Sequence, residues 1–164
     1  MEISEKEIFQ NHMPGNVCFG CGKDNHDGLQ INSFWAGDVA VCEFMPEPKH
    51  HGWKDILNGG IIATIIDCHC MGTAAANAYL LEKRPLGSEP EYRYATGTLN
   101  VKYLKPTSNL HSVELRAIVM ETKGKKTVMQ CDVISQGVKT AVAEVVAIRV
   151  YDGSQDNDGN LFKG

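Results

Sequence analysis

Between Gly59 and Leu81 the chain carries Ile61, Ile62, Ile65 and Ile66 beside Ala63, Ala74, Ala75 and Ala76, with Asp67 as its one formally charged residue. At 3.6 residues per turn these positions put apolar or small side chains on every face of a helix. A helix with no polar side has to be enclosed. Residues 59–76 are also long enough to cross a bilayer, but Asp67 and His69 lie near the middle, where lipid penalises them heavily. The segment therefore predicts a core helix rather than a membrane span.

The remainder of the chain reads mostly as strands. Leu29–Trp35 and Val39–Phe44 flank a turn at Ala36-Gly37-Asp38, and Thr96–Leu104 stops before Pro106. Val113, Leu115, Ala117 and Val119 alternate with more polar residues. Lys123-Gly124-Lys125 and Gln136-Gly137 read as turns that separate this strand from Val128–Ser135 and Thr140–Tyr151, an antiparallel meander. Residues 14–28, 46–57 and 82–93 read as loops, and residues 3–10 as a short helix. The expected architecture is α+β: an antiparallel sheet of about five to six strands wrapped around one long helix. It predicts a single domain over 1–164, with an N-terminal helix and loop in 1–28 and a flexible tail in 152–164. Such a sheet leaves an outer face and an edge to cover, which points to a homodimer or a homotetramer built as a dimer of dimers.

Composition narrows the function classes. With a net charge of -4 the chain is a poor candidate for nucleic acid, whose affinity for proteins comes mainly from Lys and Arg. The first residues are charged and lack an apolar signal core. Six cysteines are present, and in that context they read as reduced thiols of a cytoplasmic protein.

Asp67 is the residue that most suggests chemistry. A carboxylate in mid-helix, with no Lys or Arg within a turn or two, is costly to bury as a charge. Its helix-face neighbours are Ala63, Thr64 and Met71. It is therefore protonated, hydrogen-bonded, or lining a cavity, and the plainest reading is a bond to a nearby hydroxyl such as Thr64. At the helix start Asn58 is a natural N-cap, and Gly59 and Gly60 allow close approach to backbone N–H groups suited to a developing oxyanion; simple capping is the plainer alternative. Gly59 and Asp67 lie eight residues apart, about 12 Å along a helix axis. The two cannot act on one carbonyl from the same chain, so cooperation between them requires two subunits.

Three segments resemble one family. Cys18-Phe-Gly-Cys-Gly-Lys-Asp-Asn25 with Gly28-Leu29, Asn58-Gly59-Gly60-Ile-Ile-Ala-Thr-Ile-Ile-Asp67, and Thr98-Leu-Asn-Val-Lys-Tyr-Leu-Lys-Pro106 resemble the hotdog-fold acyl-CoA thioesterases, in particular the group related to the phenylacetate-pathway enzyme. The resemblance covers roughly residues 17–150. It implies hydrolysis of an acyl-CoA thioester without a cofactor or catalytic metal, with Asp67 as general base or nucleophile and the Gly59 N–H as oxyanion donor. A hydroxyl near Thr96 would help to place water, and CoA would bind at Gly60 and at Lys123, Gly124, Lys125, Lys126 and Thr127. That lysine cluster reads equally well as a solvated hairpin tip. Asn58 stands where the family usually has His, and Gly52 where many members have Asn; His50 and His51 lie nearby. The missing His motivates an alternative, a non-catalytic acyl-CoA binding module on the same fold. A hydratase is a weaker third reading, because it generally wants a His–acid pair.

Two further signals have plain readings. Cys18-x-x-Cys21 could be half of a zinc site completed by His26, His50 or His51, but no second cysteine pair has the spacing, and Cys68 and Cys70 read as core filler. His69 points about 200° away from Asp67 around the helix and reads as a satisfied core histidine.

Overall fold

The computed structural model describes residues 6–164. In chain order the elements are β1 (Ser33–Ala36), β2 (Val39–Phe44), α1 (Gly59–Leu81), β3 (Tyr92–Tyr103), β4 (Val113–Lys123), β5 (Lys126–Ser135) and β6 (Val138–Asp152). They form one six-stranded antiparallel sheet in the order β1-β2-β4-β5-β6-β3, curled around α1. This is the hotdog arrangement expected from the sequence.

The core follows the two-residue period of the strands. Val113, Leu115 and Ala117 of β4, Met129, Cys131 and Val133 of β5, and Ala141, Ala143, Val145 and Ala147 of β6 are all buried. They pack with Ile62, Ile65, Ile66 and Cys70 of the helix. Ile65 and Ile66 are fully enclosed, which is worth about 1.5–3 kcal/mol for each side chain. Among the described residues, α1 is the one helix long and apolar enough to span a bilayer, and it is the core of this sheet.

Three expectations need correction. The helix is not enclosed on every side: Ile61, Ala63, Thr64, Asp67 and Met71, a stripe at helical spacing, remain half-buried because the sheet of one chain does not close over them. The first strand begins at Ser33 rather than Leu29, because the backbone N–H groups of Leu29 and Ile31 are used by the N-terminal loop, bonding Phe19 O at 2.8 Å and Gly20 O at 3.2 Å. Of the short helix expected over 3–10, residues 1–5 lie outside the described residues, and the part described contributes only to a 3-10 turn at Phe9–His12. Residues 82–93 are mainly loop as expected, although β3 begins inside that range at Tyr92, opposite Asp152.

One edge of the sheet is β3, twelve residues long. No strand pairs with its outer side among the described residues.

Candidate active site

Asp67 sits on the half-buried stripe of α1, and its carboxylate Oδ1 accepts a hydrogen bond from the Thr96 hydroxyl on β3. Burial pushes its pKa above the ordinary carboxylate range, and the Thr96 bond pulls against that shift. Thr64 is not its partner, since the Thr64 hydroxyl donates back to Gly60 O at 2.9 Å.

Thr96 reaches Asp67 because β3 contains a bulge. Leu99, Val101 and Tyr103 lie opposite Val145, Ala143 and Ala141, so the odd-numbered residues of β3 face inward. Unbroken alternation would turn Thr96 outward. The register shifts between Thr96 and Thr98, leaving Gly97 as the extra residue and setting Thr96 opposite the buried Ala147. Gly97 has no room for a side chain, because a Cβ there would stand 2.9 Å from Ile148 Cγ1 and 3.2 Å from Val146 O.

Asp67 and Thr96 open onto a cavity of about 520 Å³, walled elsewhere by Met13, Met71, Tyr79 and Leu86. Cys18, Cys21 and Cys68 line the same cavity, with their three sulfurs mutually within 4.8 Å. The neighbouring thiols of Cys21 and then Cys68 draw the Cys18 thiol far below its ordinary range, and their proximity to Cys18 pushes Cys21 and Cys68 up. The tail closes over one side: Arg93 Nη1 donates to Phe162 O at 2.7 Å, and Asn160 Nδ2 to Val150 O at 3.0 Å.

At the start of the helix Asn58 is the N-cap, its Oδ1 accepting from the N–H of Gly60 at 2.8 Å and of Ile61 at 3.2 Å. The Gly60 N–H expected to serve a substrate is thus already engaged. The exposed Gly59 N–H has no hydrogen-bond partner among the described residues. Tyr103, which the sequence did not single out, donates its hydroxyl to Gly59 O at 2.6 Å and ties β3 to the helix start.

The hairpin joining β4 and β5 carries the exposed Lys123, Lys125 and Lys126 around Gly124, whose φ is +59°. None of these lines the cavity. Thr127 is wholly buried beside Thr122 and is therefore core rather than a phosphate contact. Of the nearby histidines, His50 Nδ1 accepts from Glu47 N at 2.9 Å, a structural role.

His69 is the satisfied core histidine that was expected. Its Nε2 lies 3.1 Å from Ala40 O, which can only accept, so Nε2 carries the proton. Its Nδ1 then accepts from Ser33 Oγ at 2.8 Å, and Ser33 Oγ in turn accepts from Gln10 Nε2 at 3.0 Å. The ring is fully buried, which pushes its pKa down to about 4.

No family model matches the chain, and no curated protein matches it. Among solved structures it is similar to a thioesterase superfamily protein from Shewanella loihica PV-4, at 31% identity over 74% of this chain and 91% of that one, with a TM-score of 0.60. It is also similar to the PaaI protein of the Escherichia coli phenylacetic acid degradation operon, at 12% identity over 76% and 82%, with a TM-score of 0.61. The BH2602 protein from Bacillus halodurans, solved with CoA, aligns at 20% identity over 66% of each chain, with a TM-score of 0.52. At those identities the last two show the fold alone.

Proposed function

Because the chain belongs to the thioesterase superfamily, we propose that it hydrolyses an acyl-CoA thioester to the free acid and CoA, with Asp67 as general base or nucleophile. The observation that carries this reading is the carboxylate of Asp67, held by Thr96 at the wall of a cavity of about 520 Å³ and raised in pKa by burial. As base, Asp67 takes a proton from water as the oxygen adds to the carbonyl carbon. As nucleophile, it forms an acyl anhydride that water then cleaves. Both routes pass through an oxyanion and expel the CoA thiolate, a good leaving group. The CoA bound in the B. halodurans structure supports CoA as the carrier.

The Gly59 N–H is the proposed oxyanion donor, supplied by a second copy of the chain. Thr96 bonds Asp67 and Tyr103 bonds Gly59, so both halves of the site are anchored on β3. Two copies paired antiparallel along their free β3 edges, about a two-fold axis near Leu99 and Asn100, would set Thr96 of one beside Tyr103 of the other. That pairing brings the carboxylate of one chain toward the helix start of the other and covers the open stripe of α1.

One observation favours a second reading, an acyl-CoA binding module without turnover: Asn58 occupies the usual histidine position, and its carbonyl oxygen is spent on the helix cap. Free-thiol release from a panel of acyl-CoAs, wild type beside Asp67→Ala, separates the two. Hydrolysis that falls at least about a hundredfold in the variant is expected. Saturable binding with no thiol release from any substrate would replace the enzyme by the binding module.

A further inference from the structure

We propose that Cys18, Cys21 and Cys68 bind a zinc ion that fastens the N-terminal loop to the central helix. The sequence shows only the Cys18-x-x-Cys21 pair; the fold brings the third sulfur from fifty residues away. A tetrahedral zinc with Zn–S bonds of about 2.3 Å places neighbouring sulfurs about 3.8 Å apart. Cys18 Sγ and Cys68 Sγ lie 3.6 Å apart, and all three sulfurs fall within 4.8 Å of one another. The triangle is thus nearly the right size for the ion before any side chain moves.

The surrounding loop is shaped for this triangle. A Cβ at position 20 would occupy the space of the Cys68 sulfur, so only glycine lets the loop come so close to the helix. A Cβ at position 22 would collide with the backbone of Asn16, Val17 and Cys18, and Gly22 N donates to Cys18 O at 2.8 Å to close the turn. Asn16 braces both cysteines of the pair, Oδ1 accepting from Cys18 N at 2.9 Å and Nδ2 donating to Cys21 Sγ at 3.4 Å. Cys70, by contrast, packs in the core toward Cys131 and takes no part.

Soft thiolates select zinc, copper(I) or iron–sulfur clusters, and a single tetrahedral ion suits a lone triangle of sulfurs. Among the described residues no further His, Cys, Asp or Glu joins the three sulfurs within 4.8 Å, which leaves the fourth position to an exogenous ligand such as water. Three thiolates on Zn²⁺ leave a net negative charge, which makes the ion a weak Lewis acid; with one position open it differs from a closed four-ligand structural site, and what it does here is join the loop to the helix. Each thiol gives up its proton on binding. The ion would hold the residue 16–21 wall of the cavity against α1, independently of whether the cavity hydrolyses thioesters.

The test is elemental analysis of the full-length protein purified under reducing conditions without strong chelator, then exchange with Co²⁺. The expected result is about one zinc per chain, together with sulfur-to-cobalt charge-transfer and tetrahedral d–d absorption in the exchanged protein. Both signals should be lost in Cys18→Ser, whose side chain is exposed and so leaves the fold intact, and retained in the control Cys70→Ala. Substoichiometric metal after incubation with zinc, a different metal, a Cys18–Cys68 or Cys18–Cys21 disulfide, or zinc that persists undiminished in Cys18→Ser would each overturn the proposal.

Discussion

The Thr96 hydroxyl donates to Oδ1 of Asp67, joining the edge strand to the central helix at the wall of the cavity. This bond stabilises the ionised carboxylate against the burial that raises its pKa. Removing it in Thr96→Val therefore shifts the acidic limb of the kcat/KM profile to higher pH, while Thr96→Ser keeps the hydroxyl and the wild-type profile. We expect kcat to fall about tenfold in the valine variant, less than the roughly 10²–10⁴ that a positioned acid–base group itself contributes, because Asp67 is still present. Steady-state hydrolysis across pH checks both the loss and its direction; an unmoved limb would mean that Asp67 is not the group titrating.

Gly59 is the first residue of the helix, where proline is tolerated because that N–H has no intrahelical partner. Asn58, with ψ at 132°, already has the extended backbone that a following proline requires. Gly59→Pro thus deletes the proposed oxyanion donor with little change to the helix. A kcat loss of about 10²–10³ with a nearly unchanged melting temperature is expected. A variant that retains wild-type kcat would remove Gly59 from the mechanism.

His69 makes stability depend on pH. Its folded pKa is depressed from 6.5 to about 4, so the unfolded chain binds a proton that the native ring refuses. The contribution is fully present above pH 6.5 and is lost as the pH falls toward 4, for a total of about 3 kcal/mol. Denaturation midpoints between pH 7.5 and 4.5 should fall more steeply for wild type than for His69→Gln, and equal slopes would place the proton uptake elsewhere.

Much of this molecule is legible in short stretches of chain. The apolar helix, the alternating strands, the Asn58 cap and the lone acid at Asp67 all depend on residues within one or two turns of each other. Local periodicity and capping chemistry act over that range. The largely apolar pattern of α1 also demanded a sheet to cover it, and six strands cover all but the stripe that carries Asp67.

Other features were settled only when distant parts of the chain met. The hydroxyl on Asp67 comes from Thr96 rather than the adjacent Thr64, because one extra residue at Gly97 reverses which side of β3 faces the helix. A glycine inside a strand hints at a bulge, but which side chain it turns inward depends on the register with β6. Cys68 reads as core filler until the loop of Cys18 and Cys21 packs onto it. The stripe of α1 that stays open depends on how far the sheet curls. The sequence by itself determined the elements and the acid, because local patterns are strong enough to specify them. Only the tertiary structure decided Asp67's partner and the sulfur triangle, because register and the packing of distant segments arise from contacts that no neighbouring residues encode.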